Sequence, residues 1–196
     1  MWNSMKRKRS ARNRRARRCL FLILLALLAL LLIWPRTVHL EGLVSPYAIL
    51  VDADSGEAVA EKKADVSIYP ASMTKVMTAL LALEANPDLE QPVTLPEDIF
   101  LELRAEGASM AGFRPGETAT VRDLLYGALL PSGAECCEAL AREVSGSEEA
   151  FVELMNQKAA ELGMRSTHFC NPTGLHDPEH VSTVRDMARL LRAAMQ

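Results

Sequence analysis

Sixteen consecutive residues, "CLFLILLALLALLLIW" from Cys19 to Trp34, carry no charge and no strongly polar group. As a helix rising about 1.5 Å per residue they span roughly 24 Å, close to one crossing of a bilayer core. They follow directly on residues 1–18, which hold nine of the chain's 22 Lys and Arg and none of its 25 Asp and Glu. A helix that is apolar on every side, behind such a block of positive charge, is not the pattern of a soluble core. Positive residues stay on the cytoplasmic side, so the pattern predicts a single-pass membrane protein with everything after Trp34 outside. The bulky residues of "LLLIWPRTVHLEG" favour an uncleaved signal anchor; a signal peptide removed after export is the alternative.

Beyond residue 18 the balance reverses. Residues 19–196 hold 13 basic and 25 acidic groups, a formal charge of −12. That field repels phosphate and argues against a nucleic-acid partner. The 196 residues suffice for one domain with a substantial core. The expected division is a basic cytoplasmic segment (1–18), a transmembrane anchor (19–34), a linker (35–46) and a single globular domain (47–196). Of the four cysteines, Cys19 lies at the membrane edge. Cys136 and Cys137 are neighbours in a helical stretch, where side chains diverge by about 100°, so they do not suit each other as disulfide partners. Either could pair with Cys170, although burial as small apolar residues is the favoured reading. No metal-ligand spacing links the cysteines to any of the four histidines.

In the outer part, "PYAILVDADSGEAVAEKKAD" sets two apolar runs around Asp54-Ser55-Gly56, which predicts a β-hairpin. A helix beginning near Ser72 closes at Asn86-Pro87, since proline cannot continue it. A short strand, "PVTL", is followed by an irregular region through "GASMAGFRPGE". Thr120, with Asp123 three residues on, predicts a capped helix carrying Val121, Leu124, Leu125, Ala128 and Leu129 on its apolar face. Pro131-Ser132-Gly133 breaks it. A second helix runs from about Ala134 to Val144, and Ser145-Gly146-Ser147 ends it and caps a third. That third helix sets Phe151, Leu154, Met155, Ala159 and Leu162 on one face, with Gly163 near its end. "NPTGLHDPEH" is a loop by composition, and a last amphipathic helix starts beyond Ser182.

The chemistry lies in "YPASMTKVMTALLALE", where Ser72 and Lys75 stand three residues apart at the mouth of a helix. A serine alcohol becomes a nucleophile when a base takes its proton, and an amine does so when burial lowers its pKa. Positions i and i+3 share a face, so the two groups come within reach of each other. Free N–H groups of the first turn are suited to an oxyanion. The bland alternative makes Ser72 a helix cap and Lys75 a solvated side chain. A second serine turn, "PSGAE" at Ser132, sits in a helix break sixty residues on and favours an acyl-transfer device.

Together "YPASMTKVMTALLALE", "TVRDLLYGALLPSGAE", "FVELMNQKAAELGM" and "NPTGLHD" resemble the serine D-Ala-D-Ala carboxypeptidases, the low-molecular-mass penicillin-binding proteins, from about Tyr47 onward. The resemblance implies an α+β fold of the β-lactamase/transpeptidase type, a helical subdomain plus an antiparallel sheet. It makes Ser72 the nucleophile, Lys75 its base and Ser132 a proton shuttle. It implies a peptidoglycan stem ending in D-Ala-D-Ala as substrate and β-lactam antibiotics as acylating ligands. Neither cofactor nor metal is expected.

Two departures from the family pattern stand out. Where the family has Ser-x-Asn, this chain has Ser132-Gly133-Ala134, and alanine cannot make the amide's hydrogen bonds. Glu135 could replace it only by turning inward; a first-turn acid favoured by the helix dipole is the simpler reading. No Lys-Thr-Gly or Lys-Ser-Gly occurs, and Pro172-Thr173-Gly174 lacks the cation. The expectation is therefore a chain truncated before its third motif, impaired in activity, its helices keeping an exposed apolar face. The alternatives are a non-catalytic envelope protein that binds peptidoglycan or a partner, and a β-lactamase, for which no deacylating base is evident.

Overall fold

The hairpin forms from the two apolar runs on either side of Asp54-Ser55-Gly56. In the computed structural model, which describes residue 25 and residues 38–86 and 88–196, β1 (Ala48–Val51) pairs antiparallel with β2 (Ala58–Lys62), Ile49 opposite Glu61 and Leu50 opposite Ala60. Asp52 closes the turn by accepting from the Ser55 backbone N–H at 2.8 Å. The anchor expected over residues 19–34 lies outside the described residues, apart from residue 25. Among those described, no helix is long and apolar enough to cross a membrane. The chain divides into Met1–Val38 and His39–Gln196, and the second unit is described here.

After the hairpin come a 3₁₀ turn (Ala71–Thr74), α1 (Lys75–Ala85), β3 (Pro92–Thr94) and α2 (Ile99–Ala105). Then follow β4 (Thr118–Thr120), α3 (Val121–Leu129), α4 (Ala134–Ser145), α5 (Glu148–Glu161) and α6 (Val184–Ala194). The region expected to be irregular after β3 holds α2, and β4 follows directly at its end. Ile99, Phe100 and Leu103 lie on one side of α2 and are all buried, a helical spacing carried by only seven residues. β4 forms by pairing with β3, Val93 opposite Ala119, a contact that local propensity does not report.

The predicted caps form. Thr120 and Asp123 make a reciprocal capping box on α3, Ser147 caps α5, and Gly146 ends α4 with a φ of 84°. Two apolar clusters make the core. One joins Val93, Phe100, Leu103, Leu124 and Leu140, and the other Met77, Phe151, Met155, Phe169 and Leu190. α1 contributes to both, with Ala79 and Ala82 in the first and Met77 and Leu81 in the second. That double burial fixes the helix whose mouth carries Ser72.

α6 is tied back to the hairpin. Arg192 donates to the carbonyls of Ala53 and Asp54 at 2.9 and 2.7 Å, and Arg185 pairs with Asp65 and Glu61. Between β1 and α6 lies an open apolar groove of about 510 Å³, lined by Leu50, Met73, Val76, Met187, Leu191 and Met195 among others.

Candidate active site

Ser72 lies in the 3₁₀ turn that leads into α1, and Lys75 is the first residue of α1 itself. Lys75 Nζ stands 3.3 Å from Ser72 Oγ, as the spacing requires. Ser132, in the break between α3 and α4, donates from Oγ to Ser72 Oγ at 2.9 Å. The three residues singled out in the sequence therefore meet at one oxygen. Ser72 is exposed, whereas Lys75 is only 4 % exposed. Both serines are approached through rare backbone: Ala71 has φ 48° and Ser132 φ 65°, conformations that persist only where the surroundings impose them.

The loop from Cys170 to Asp177 supplies part of that imposition. Lys75 Nζ also donates to the Thr173 carbonyl at 2.6 Å, and Thr78 Oγ1 to the Pro172 carbonyl at 2.6 Å. Asn171 shapes the loop, its Oδ1 accepting from the N–H groups of Thr173 and Gly174 at 3.2 and 2.7 Å. Gly174, at φ 80°, packs so closely on the Ala71 carbonyl that a Cβ there would lie 1.9 Å from the oxygen. Only glycine fits.

His180, not singled out in the sequence, is buried beneath the same turn. Its Nε2 lies 2.8 Å from Thr74 Oγ1, and its Nδ1 accepts from the Cys170 N–H at 3.3 Å. That acceptor role assigns the proton to Nε2, which donates to Thr74. Burial pushes the imidazole pKa down to about 4. It is a neutral strut between the nucleophile turn and the loop, and no helical or strand spacing in the sequence signals it.

The electrostatics follow from burial. Desolvation holds the Lys75 ammonium below the ordinary lysine range, while the nearby Cys137 and Glu135 oppose that shift. A lowered pKa gives the amine a neutral fraction able to accept the Ser72 proton. Cys137 is itself buried, its thiol pushed up to about 12 by desolvation, and Cys136, Cys137 and Cys170 are all free.

Glu135 is fully buried, not solvated in the first turn of α4. Its Oε1 accepts from the N–H groups of Ala111 and Gly112 at 2.7 and 2.9 Å. It turns inward, as a substitute for the missing asparagine would have to, yet it grips the 109–112 loop and makes no hydrogen bond to Lys75. Ala134 donates its N–H to the Ser109 carbonyl at 2.8 Å, so the same loop is held by both residues.

The family model described as D-alanyl-D-alanine carboxypeptidase matches residues 36–196. The D-alanyl-D-alanine carboxypeptidase DacF of Bacillus subtilis is 38 % identical over 149 residues, 76 % of this chain and 38 % of that protein. DacC of Escherichia coli, also a D-alanyl-D-alanine carboxypeptidase, is 40 % identical over 151 residues, 74 % of this chain and 38 % of that protein. The chain thus spans about two fifths of the length of these curated relatives. Among solved structures, penicillin binding protein 6B from Escherichia coli superposes with a TM-score of 0.76 at 29 % identity, covering 82 % of this chain and 52 % of that one. The D-alanyl-D-alanine carboxypeptidase DacD from Francisella tularensis gives 0.71 at 35 % identity, covering 82 % and 38 %.

Proposed function

The chain belongs to the D-alanyl-D-alanine carboxypeptidase family, and we propose that its site performs serine acyl transfer on peptidoglycan stem peptides ending in D-Ala-D-Ala. The observation that carries this reading is the meeting of Lys75 Nζ and Ser132 Oγ on Ser72 Oγ, at 3.3 and 2.9 Å. Ser72 is the nucleophile. Neutral Lys75 takes the Ser72 proton as Oγ attacks the penultimate D-Ala carbonyl, and the first-turn N–H groups favour the oxyanion. Ser132 carries a proton towards the leaving amine of the terminal D-Ala. The C–N bond breaks, an acyl-serine forms, and water hydrolyses it with Lys75 again as base. β-Lactams acylate the same oxygen. On this reading residues 19–34 anchor the protein in the bacterial membrane with the site outside, supported by the nine positive charges that precede them.

A penicillin-labelling gel tests the reading. Labelling is expected in the native chain, weaker than in a relative with asparagine at the position of Ala134, and lost in Ser72→Ala. Labelling that survives Ser72→Ala refutes it. The lack of an amide at Ala134 favours a second reading, a non-catalytic peptidoglycan-binding protein, which predicts retention on peptidoglycan unchanged by Ser72→Ala and no labelling at all.

A further inference from the structure

A second pocket, of about 240 Å³, lies between α2, α4, the start of α5 and the loop around Thr173. Five acids line it: Glu102 on α2 and Glu106 one turn on at its C-cap, Glu138 on α4, Glu148 on α5 and Asp177 on the loop. The guanidinium in the lining, Arg142, is turned to Asp98 outside it, at 2.8 and 3.0 Å. Glu138 is only 5 % exposed, and its Oε2 has no hydrogen-bond partner. A buried carboxyl oxygen without a partner is costly, and burial together with Glu148 pushes the Glu138 carboxyl up to about 8, the mark of uncompensated negative charge in a cavity walled by four more acids. His176 and the Cys170 thiol, at the loop side of the lining, complete the titratable groups facing it.

We propose that this pocket binds a hydrated divalent cation, of which Mg²⁺ is the model. Among the described residues, no three such side chains stand close enough to grip a bare ion. The ion therefore keeps water between itself and most of the acids, as Mg²⁺ commonly does. The cavity, about 240 Å³, has room for an ion that keeps its waters. Two positive charges on one small centre answer the clustered acids better than two ammonium groups held a four-carbon chain apart, which sets the ion apart from an organic diamine. Because Thr173 lines this pocket and its carbonyl holds Lys75, an ion here braces the loop that anchors the amine of the other site.

The test is independent of acyl transfer. The full chain is stripped with EDTA, dialysed, and titrated calorimetrically with MgCl₂, with NaCl at matched ionic strength and putrescine as separate arms. Saturable Mg²⁺ binding is expected, with a rise in melting temperature that NaCl and putrescine do not reproduce. Glu138→Gln and, separately, Glu148→Gln should each weaken it about tenfold or more, with folding checked by circular dichroism. Glu149→Gln, an exposed acid outside the lining, should leave it unchanged. Absence of saturable binding, an equal response to NaCl, a response to putrescine alone, or full affinity in both lining variants overturns the proposal.

Discussion

Lys75 Nζ lies 2.6 Å from the Thr173 carbonyl oxygen and 3.3 Å from Ser72 Oγ, so the amine is held more closely by the loop than by the serine it serves. A carbonyl accepts but never donates, which orients the nitrogen without competing for the Ser72 proton. Lys75→Met, which keeps the bulk and removes the base, should slow acylation by a fluorescent penicillin by about 10²- to 10⁴-fold. The native rate should rise with pH through the amine's titration, because only the neutral form accepts a proton. That rise should fall below the ordinary lysine range, since burial lowers the Lys75 pKa. A rate flat in pH up to the normal lysine value contradicts a basic role.

Glu135 sets two quantities at once. Glu135→Ala leaves the part-buried N–H groups of Ala111 and Gly112 without their charged acceptor, and should cost about 2 kcal/mol in denaturant unfolding. Glu135→Gln keeps an acceptor and should cost less than half as much. It also removes a negative charge that favours the Lys75 ammonium, so the pH profile of acylation should move to lower pH. An unmoved profile in a folded Glu135→Gln protein separates Glu135 from the amine's electrostatics.

Gly174 tests the packing of the loop against the nucleophile turn. A Cβ at 1.9 Å from the Ala71 carbonyl cannot be accommodated, and φ 80° strains any side chain. Gly174→Ala should therefore displace the loop, costing at least ~2 kcal/mol, and reduce serine labelling with it. A melting temperature and labelling rate both equal to the native ones show that the turn does not depend on this contact.

How much of this was legible in the sequence divides by range. Ser72 and Lys75 were, because the i, i+3 relation is a property of one helix. Ser132 was, because proline and glycine mark the break that carries it. The caps at Thr120 and Ser147 were equally local. α2 escaped because seven residues offer barely two turns of periodicity, and β4 because its pairing with β3 is tertiary. The direction of Glu135 depends on a loop 24 positions earlier, and the His180 contact joins residues 106 apart. The acids around Glu138 come from three helices, a helix end and the loop at Asp177, and no spacing along the chain brings them together.

His180 makes stability depend on pH in a defined direction. The buried imidazole has its pKa lowered from 6.5 to about 4. Between those values an unfolded chain binds a proton on His180 that the folded chain does not. Stability contributed by the neutral ring is thus fully present above about pH 6.5 and lost progressively as pH falls towards 4. Asp177 partly opposes the shift, and His168 adds to it, but burial is the larger cause. At roughly 1.4 kcal/mol per pKa unit the loss approaches 3 kcal/mol. Unfolding by urea at pH 7 and pH 4.5 should show it, and His180→Gln should remove this component while lowering stability at pH 7. Glutamine can still donate to Thr74 but does not titrate. If the pH dependence between 6.5 and 4 is as steep in His180→Gln as in the native chain, the buried imidazole is not its source.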